Sequence, residues 1–272
     1  MNNTIYMLCS VTPRQMNSFI ITTDEGGVIV VDGGFAEDAE KLLGTLRTVT
    51  GEKKPHIDGW FLTHAHDDHI SAFVRLVTEF YGQFSFDRVY YNFPSYQFFE
   101  HYENSEAHTT AEFYAALPRF ADRICIVSTD DVYEIKGAKF EFLYTYDTVI
   151  TFNAVNNSSS VFKMTLGGKT VLFLGDLGVE AGKKLLSTRG GALKSDFVQM
   201  AHHGQNGVDF DVYRAIAPSA CLWCTPKWLW DNDAGLGYNT HVFKTVVVRG
   251  WMDELGVREH YVTKDGDQII RL

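Results

Sequence analysis

Thr63-His64-Ala65-His66-Asp67-Asp68-His69 decides how this chain is read. Three imidazoles and the Asp68 carboxylate fall within six residues. The apolar run from Ile57 to Thr63 predicts a strand that ends here. The spacing of Ile70, Phe73, Val74 and Val77 predicts a helix that begins here. Side chains two apart project to the same side of an extended chain, so His64 and His66 can grip one ion. Asp68 and His69 sit where the chain turns into the helix and can face a second ion beside the first. Imidazole and carboxylate ligands suit zinc, manganese or iron. Histidine at this density on a strand end points to a metal centre rather than to a polar surface turn.

Upstream, Ser18-Phe19-Ile20-Ile21-Thr22-Thr23 and Val28-Ile29-Val30-Val31 flank Asp24-Glu25-Gly26-Gly27, which predicts a hairpin whose glycines supply positive φ. Asp32-Gly33-Gly34 closes it, and helical spacing follows over residues 36–48. Downstream, strands are predicted at 139–144, 161–166, 170–174, 196–201, 220–224, 259–263 and 268–271. Helices are predicted at 179–187, 209–216 and 241–255. Two similar strand-rich halves with flanking helices read as one α/β sandwich domain over residues 1–272. Residues 80–121 differ, being crowded with Phe and Tyr, and predict an aromatic-rich helical insertion. It is either core beneath a helical layer or an aromatic wall over a pocket.

The 272 residues are 45% hydrophobic and 21% charged, which excludes disordered, collagen-like and disulfide-scaffold chains. With 24 basic and 34 acidic residues the net charge is −10, which disfavours nucleic acid as a partner, since non-specific DNA binding rests on neutralising phosphates. Four cysteines in a chain this long predict reduced, buried thiols, and Cys221-Leu222-Trp223-Cys224 reads as part of a buried strand. No apolar run reaches the roughly 18 residues of a membrane span. The opening residues lack the pattern of a secretory signal, so a cytoplasmic protein without a membrane partner is expected.

The His-x-His-x-Asp-His pattern of residues 64–69 resembles the signature of the metallo-β-lactamase superfamily. That resemblance implies a four-layer αββα sandwich with a two-metal site at one sheet edge. It implies that Asp32 buttresses the ligand loop and that Asp176, in Leu174-Gly175-Asp176, bridges the two ions. Gln199-Met200-Ala201-His202-His203-Gly204 is similar to a subgroup that includes the hydrolase domain of ComEC-type DNA-uptake proteins and the cell-wall phosphorylcholine esterases. By this resemblance His203 is the ligand and His202 faces substrate, with the opposite assignment left open. Asn156-Asn157-Ser158-Ser159-Ser160 matches the subgroup's Asn-rich strand entry, and Tyr238 to His241, opening the last helix, takes the place of its late histidine.

One departure stands out: between the first motif and Asp176 the only histidines are His101 and His108, both in the aromatic region. They are expected to be surface or packing residues. The first ion would then have His64, His66 and Asp176, with water or Asn157 completing the shell, and would bind more weakly. The second would have Asp68, His69, Asp176 and His203. His66 stands where di-iron oxygen-reducing relatives carry Glu, which favours a hydrolase. The expectation is a binuclear hydrolase, zinc-dependent or else using manganese or iron. It acts on a phosphoester or phosphodiester, with Asp68, His202 and His241 as catalytic candidates and Tyr238 at the substrate. A lactone, thioester or amide hydrolase, a nuclease and a non-catalytic binding module are the alternatives.

Overall fold

The computed structural model describes residues 1–272. Two seven-stranded sheets have the same plan. In the first, Gln268–Arg271, Thr4–Met7, Ser18–Thr22 and Val28–Asp32 are antiparallel neighbours, and Gly59–Phe61, Val89–Tyr91 and Ile124–Ile126 continue in parallel. In the second, Val132–Ile135, Ala138–Tyr144, Val161–Leu166 and Lys169–Phe173 are antiparallel, and Phe197–Gln199, Ala220–Trp223 and Glu259–Val262 continue in parallel. Each sheet therefore changes from antiparallel to parallel between its fourth and fifth strands, and both changes lie at the metal-ligand loops.

Alternation along the strands sends one set of side chains between the sheets. Phe19, Ile29, Val31 and Phe61 from the first meet Phe140, Phe162, Met164 and Phe173 from the second. The opposite face of the first sheet packs under the helices Ala39–Thr50, Asp67–Glu79 and Ala107–Ala116. That of the second packs under Val179–Arg189, Phe210–Ile216 and Thr245–Glu254. The result is the four-layer αββα sandwich. Phe61 lies at its centre, stacked on Tyr90 at 4.5 Å and on Phe140 at 4.2 Å. Phe61→Ala is expected to cost about 3–5 kcal/mol of stability, read by chemical denaturation, because the rigid sheets on both sides limit collapse of the void. A loss below about 1 kcal/mol would contradict this packing.

Two expectations need correction. Residues 80–121 are not helical throughout, because Val89–Tyr91 is an interior strand of the first sheet. The helices Tyr96–Tyr102 and Ala107–Ala116 follow it, and Tyr91, Phe93, Phe99, Phe113 and Phe120 pack into the outer core. The last helix begins at Thr245 rather than at 241. Gly235 and Gly237 take positive φ of 101° and 110°, and the Asp233 carboxylate accepts both their amides at 2.7 and 2.9 Å. Beyond that turn, Asn232 Oδ1 accepts Phe243 N at 3.2 Å and its Nδ2 donates to His241 O at 2.9 Å, which keeps residues 241–243 out of the helix.

Candidate metal centre

The first ligand loop leaves the Gly59–Phe61 strand, and His66 is its last extended residue before the Asp67–Glu79 helix. Asp67 and Asp68 sit in the helix's first turn, where acidic side chains suit the dipole. Asp32 holds the loop from below. It is fully buried and accepts the Thr63 amide at 2.8 Å, the Thr63 hydroxyl at 2.8 Å and the Asn17 amide side chain at 2.7 Å. His69 Nδ1 lies 2.7 Å from the same carboxylate, which turns Nε2 of that ring towards the centre. Asp32 itself takes a left-handed φ of 54°.

The second sheet mirrors this arrangement. Gly175-Asp176 leaves its fourth strand and Ala201–Gly204 leaves its fifth. Gly175 needs its positive φ of 54°, and a Cβ there would meet Ser159 Oγ at 2.9 Å. His202 and His203 are also left-handed, at φ 52° and 54°. Such non-glycine residues cost of order 1 kcal/mol each and tend to persist where the surroundings fix them. Here the Gln199 side chain ties the two strand ends together, accepting from Leu174 N at 2.9 Å and donating to Gly175 O at 3.1 Å and Met200 O at 2.8 Å. His203 Nδ1 lies 3.0 Å from Cys224 O, so Nε2 faces inward. Thr225 Oγ1 donates to His203 O at 2.7 Å.

Two ligand groups result, and they share Asp176. Asp68, His69, Asp176 and His203 offer one ligand atom each within 4.8 Å of one another, and so do His64, His66 and Asp176. His203 Nε2 lies 3.0 Å from Asp68 and 3.3 Å from Asp176, and His69 Nε2 is 3.1 Å from Asp176. His64 Nε2 is 3.1 Å from His66 Nδ1. His69 Nε2, His203 Nε2 and Asp176 Oδ1 are buried and face one another at ion-pair distance without hydrogen-bond alignment. Buried polar groups are nearly always paired, so these three orphans aimed at one point fit a bound cation. A third group of His56, Asp58 and Asp87 is partly exposed, and its Asp58 carboxylate already accepts Val28 N at 2.8 Å.

Charges without metal show how strongly the site competes for protons. Burial alone would lower the His203 pKa, but the Asp176 carboxylate outweighs it and, with Asp68, raises it to about 9. Burial is likewise overcome at His69, which Asp176, Asp32 and Asp68 hold well above the ordinary histidine value. Burial, reinforced by His69, holds His64 well below that value, so it is neutral and ready to ligate. Burial would raise the Asp176 pKa, but His203 and His69 hold it well below the ordinary carboxylate range. Raised histidines stabilise the metal-free fold fully below about pH 6.5, and for His203 that contribution fades as pH rises through about 9. The depressed Asp176 contributes above its ordinary value of 3.8, and its share is lost as pH falls through its lower folded value. Metal loading at pH 7 is therefore expected to release about two protons, from His69 and His203. Calorimetry in buffers of different ionisation enthalpy reads that number, and no release would contradict these protonation states.

A cavity of about 250 Å³ opens over the cluster, and His66, Asp68, Asp176 and His202 reach its wall. His202 Nε2 is 3.8 Å from Asp176 Oδ2, and its Nδ1 has no partner. The remaining wall residues, Gln15, Asp67, Glu103, Glu106 and Asn156, are all polar. None of these five figured among the site residues expected from sequence. Glu103 and Glu106 come from the helical region, more than thirty residues from any ligand, with no local motif to mark them.

Three expected residues fall elsewhere. Asn157 holds the start of the Val179–Arg189 helix, donating to Phe152 O at 2.8 Å and accepting Ala181 N at 3.1 Å, so its side chain is engaged there and it does not line the cavity. Its neighbour Asn156 lines it instead. Tyr238 is 60% exposed on the 235–244 loop, and His241 stacks on Phe243 at 4.7 Å. Neither lines the cavity, because the helix expected to carry them inward starts later. His101 and His108 are exposed. Trp230 packs on Trp223 at 5.2 Å and Trp228 donates to Pro13 O at 2.9 Å, so both indoles of the short Lys227–Trp230 helix are engaged away from the cavity. All four cysteines are free; Cys221 and Cys224 are buried, which pushes the Cys221 thiol up to about 12, whereas Cys9 and Cys125 are half-buried rather than buried as expected.

No curated protein matches this sequence. The profile described as "Metallo-beta-lactamase superfamily" matches residues 11–82. Among solved structures, the metallo-beta-lactamase fold protein YhfI from Bacillus subtilis aligns over 100% of both chains at 13% identity and TM-score 0.56. CmlA, a diiron beta-hydroxylase from Streptomyces venezuelae, aligns over 100% of this chain at 13% identity and TM-score 0.58, and the match spans 54% of its own length. Zn(2+)-bound PqqB from Methylobacterium extorquens aligns over 95% of this chain and 87% of its own at 10% identity and TM-score 0.51. The chain has the metallo-β-lactamase fold, and the stretch that matches the superfamily profile, residues 11–82, is the one that holds Asp32 and the histidine cluster.

Proposed function

We propose that this protein is a binuclear metal-dependent hydrolase that acts on a phosphoester or phosphodiester. The observation that carries the reading is the pair of ligand groups meeting at Asp176, with three inward-facing polar atoms left without an aligned hydrogen bond. His64, His66 and Asp176 would hold one ion, and Asp68, His69, Asp176 and His203 the other. The site chemistry fits zinc best, with manganese or iron as alternatives. Bound divalent ions supply Lewis acidity and bring the pKa of water towards neutrality.

The chain's own groups do the rest. Asp32 and Cys224 O fix the rings of His69 and His203, so little reorganisation is needed when substrate arrives. The second oxygen of Asp68 can accept a proton from an attacking water. His202 is kept neutral by burial and stands on the cavity wall, where its N–H can donate to charge that develops on the substrate.

A phosphodiester suits a two-ion clamp because the clamp spans the attacking and leaving oxygens. The likeness of His202-His203-Gly204 to the phosphorylcholine esterase and DNA-uptake subgroup supports the same choice. Net charge −10 and a carboxylate-rich cavity mouth count against a nuclease, and a small substrate in the cytoplasm is the fitting context. The test is turnover by metal-loaded protein on chromogenic phosphomonoesters, phosphodiesters, lactones, thioesters and amides. Phosphoester cleavage abolished by a chelator is the expected result. Lactone, thioester or amide turnover without phosphoester turnover would overturn the substrate class, and inertness on the whole panel would favour a binding module.

A further inference from the structure

The cavity mouth carries more negative charge than a metal cluster needs. Beyond the ligands Asp68 and Asp176, its wall includes Asp67, Glu103 and Glu106, and neither lysine nor arginine lines it. Arg14, which influences Asp67, is turned away onto the Phe35 ring at 3.6 Å and onto Glu37 at 2.8 Å. Two divalent ions bring four positive charges against five carboxylates, so the loaded site stays net negative on the rim side. A bare anion would meet attraction at the ions and repulsion at the rim.

A second observation is independent of that charge. Asn156 is 5% exposed and lines the same cavity, and its Nδ2 donates to Asn153 Oδ1 at 2.8 Å. Its Oδ1 is left buried with no donor. An unpaired buried acceptor is costly unless a ligand supplies the hydrogen. Glu103 commits Oε2 to Val155 N at 2.8 Å and has no bond at Oε1, so it too keeps an acceptor in hand.

We propose that the substrate carries a protonated amine, received at the cavity mouth by Glu103, Glu106 and Asn156 Oδ1 while the scissile group lies on the ions. This rests on the hydrolase reading and narrows its substrate. Every recognising atom is a hydrogen-bond acceptor, and the wall has no Trp, Tyr or Phe. That selects an ammonium bearing N–H groups over a quaternary one, which prefers aromatic faces.

Calorimetry on zinc-loaded protein tests this with two matched pairs, phosphoethanolamine against ethyl phosphate and homoserine lactone against γ-butyrolactone. The expected result is that the amine-bearing member binds at least tenfold more tightly, and that Glu106→Gln and Glu103→Gln each shrink that ratio, leaving the neutral γ-butyrolactone within about twofold and ethyl phosphate the same or tighter as rim repulsion falls. A preference confined to the lactone pair would support the inference and overturn the phosphoester reading. Equal affinity within each pair would overturn the inference and leave the hydrolase standing. Phosphocholine binding more tightly than phosphoethanolamine would also overturn it, as would a third zinc equivalent lost in the Glu103→Gln and Glu106→Gln variants. No binding by any ligand would overturn both.

Discussion

Asp176→Asn is expected to lower bound metal from two equivalents to one or fewer, and to cut turnover by on the order of 10³-fold, about 4 kcal/mol of barrier. The side chain belongs to both ligand groups, so no other single replacement weakens both at once. Asparagine keeps the size, and Asp176 N still donates to Ser159 Oγ at 3.0 Å, so the fold should survive. What changes is charge. Asp176 is the largest attractive partner of His203 and His69 in the metal-free protein, and its loss removes the negative charge that both ligand groups share. Elemental analysis beside circular dichroism separates lost metal from lost structure. A folded variant with two ions at wild-type affinity would contradict the shared-ligand arrangement.

Asp32→Ala is expected to be the most damaging change away from the ions. It strips acceptors from Thr63 N, Thr63 Oγ1, Asn17 Nδ2 and His69 Nδ1, all buried. Leaving buried donors unpaired costs about 1–3 kcal/mol each, and neighbouring losses do not add in full, so about 3–5 kcal/mol overall is expected. The released His69 ring should lower metal affinity roughly 10–100-fold. Asp32→Asn should recover part of the stability, because asparagine tolerates the left-handed backbone and retains one acceptor oxygen. Denaturation and metal titration on both variants check this, and a stability loss under about 1 kcal/mol for the alanine variant would count against the buttress.

These predictions rest on parts of the molecule that differed in how openly the sequence displayed them. Short-range signals were legible. His64 to His69 lie on one loop, Gly175-Asp176 and His202-His203-Gly204 each follow an apolar strand, and the 18–31 hairpin carries its own glycines. Two strand-rich halves with flanking helices also pointed to the sandwich, because strands buried on both faces, such as Val28–Asp32, read as continuous apolar runs. What depended on distant partners did not show. Asn156 and Asn157 are indistinguishable in sequence, and which faces the cavity is decided by the helix start that occupies Asn157. The last helix is expected from 241, but Asn232, nine residues upstream, takes Phe243 N and His241 O and holds those residues out of the helix. Glu103 and Glu106 look like solvated surface charges until the helices fold over the ligand loop.

Asp176 belongs to both ligand groups, and anomalous diffraction from crystals of the metal-loaded protein tests that sharing most directly. Two peaks about 3.5–4 Å apart are expected, both next to the Asp176 carboxylate, the weaker one beside His64 and His66. A single peak that Asp176 does not touch, or scattering only at the exposed His56 cluster, would contradict it.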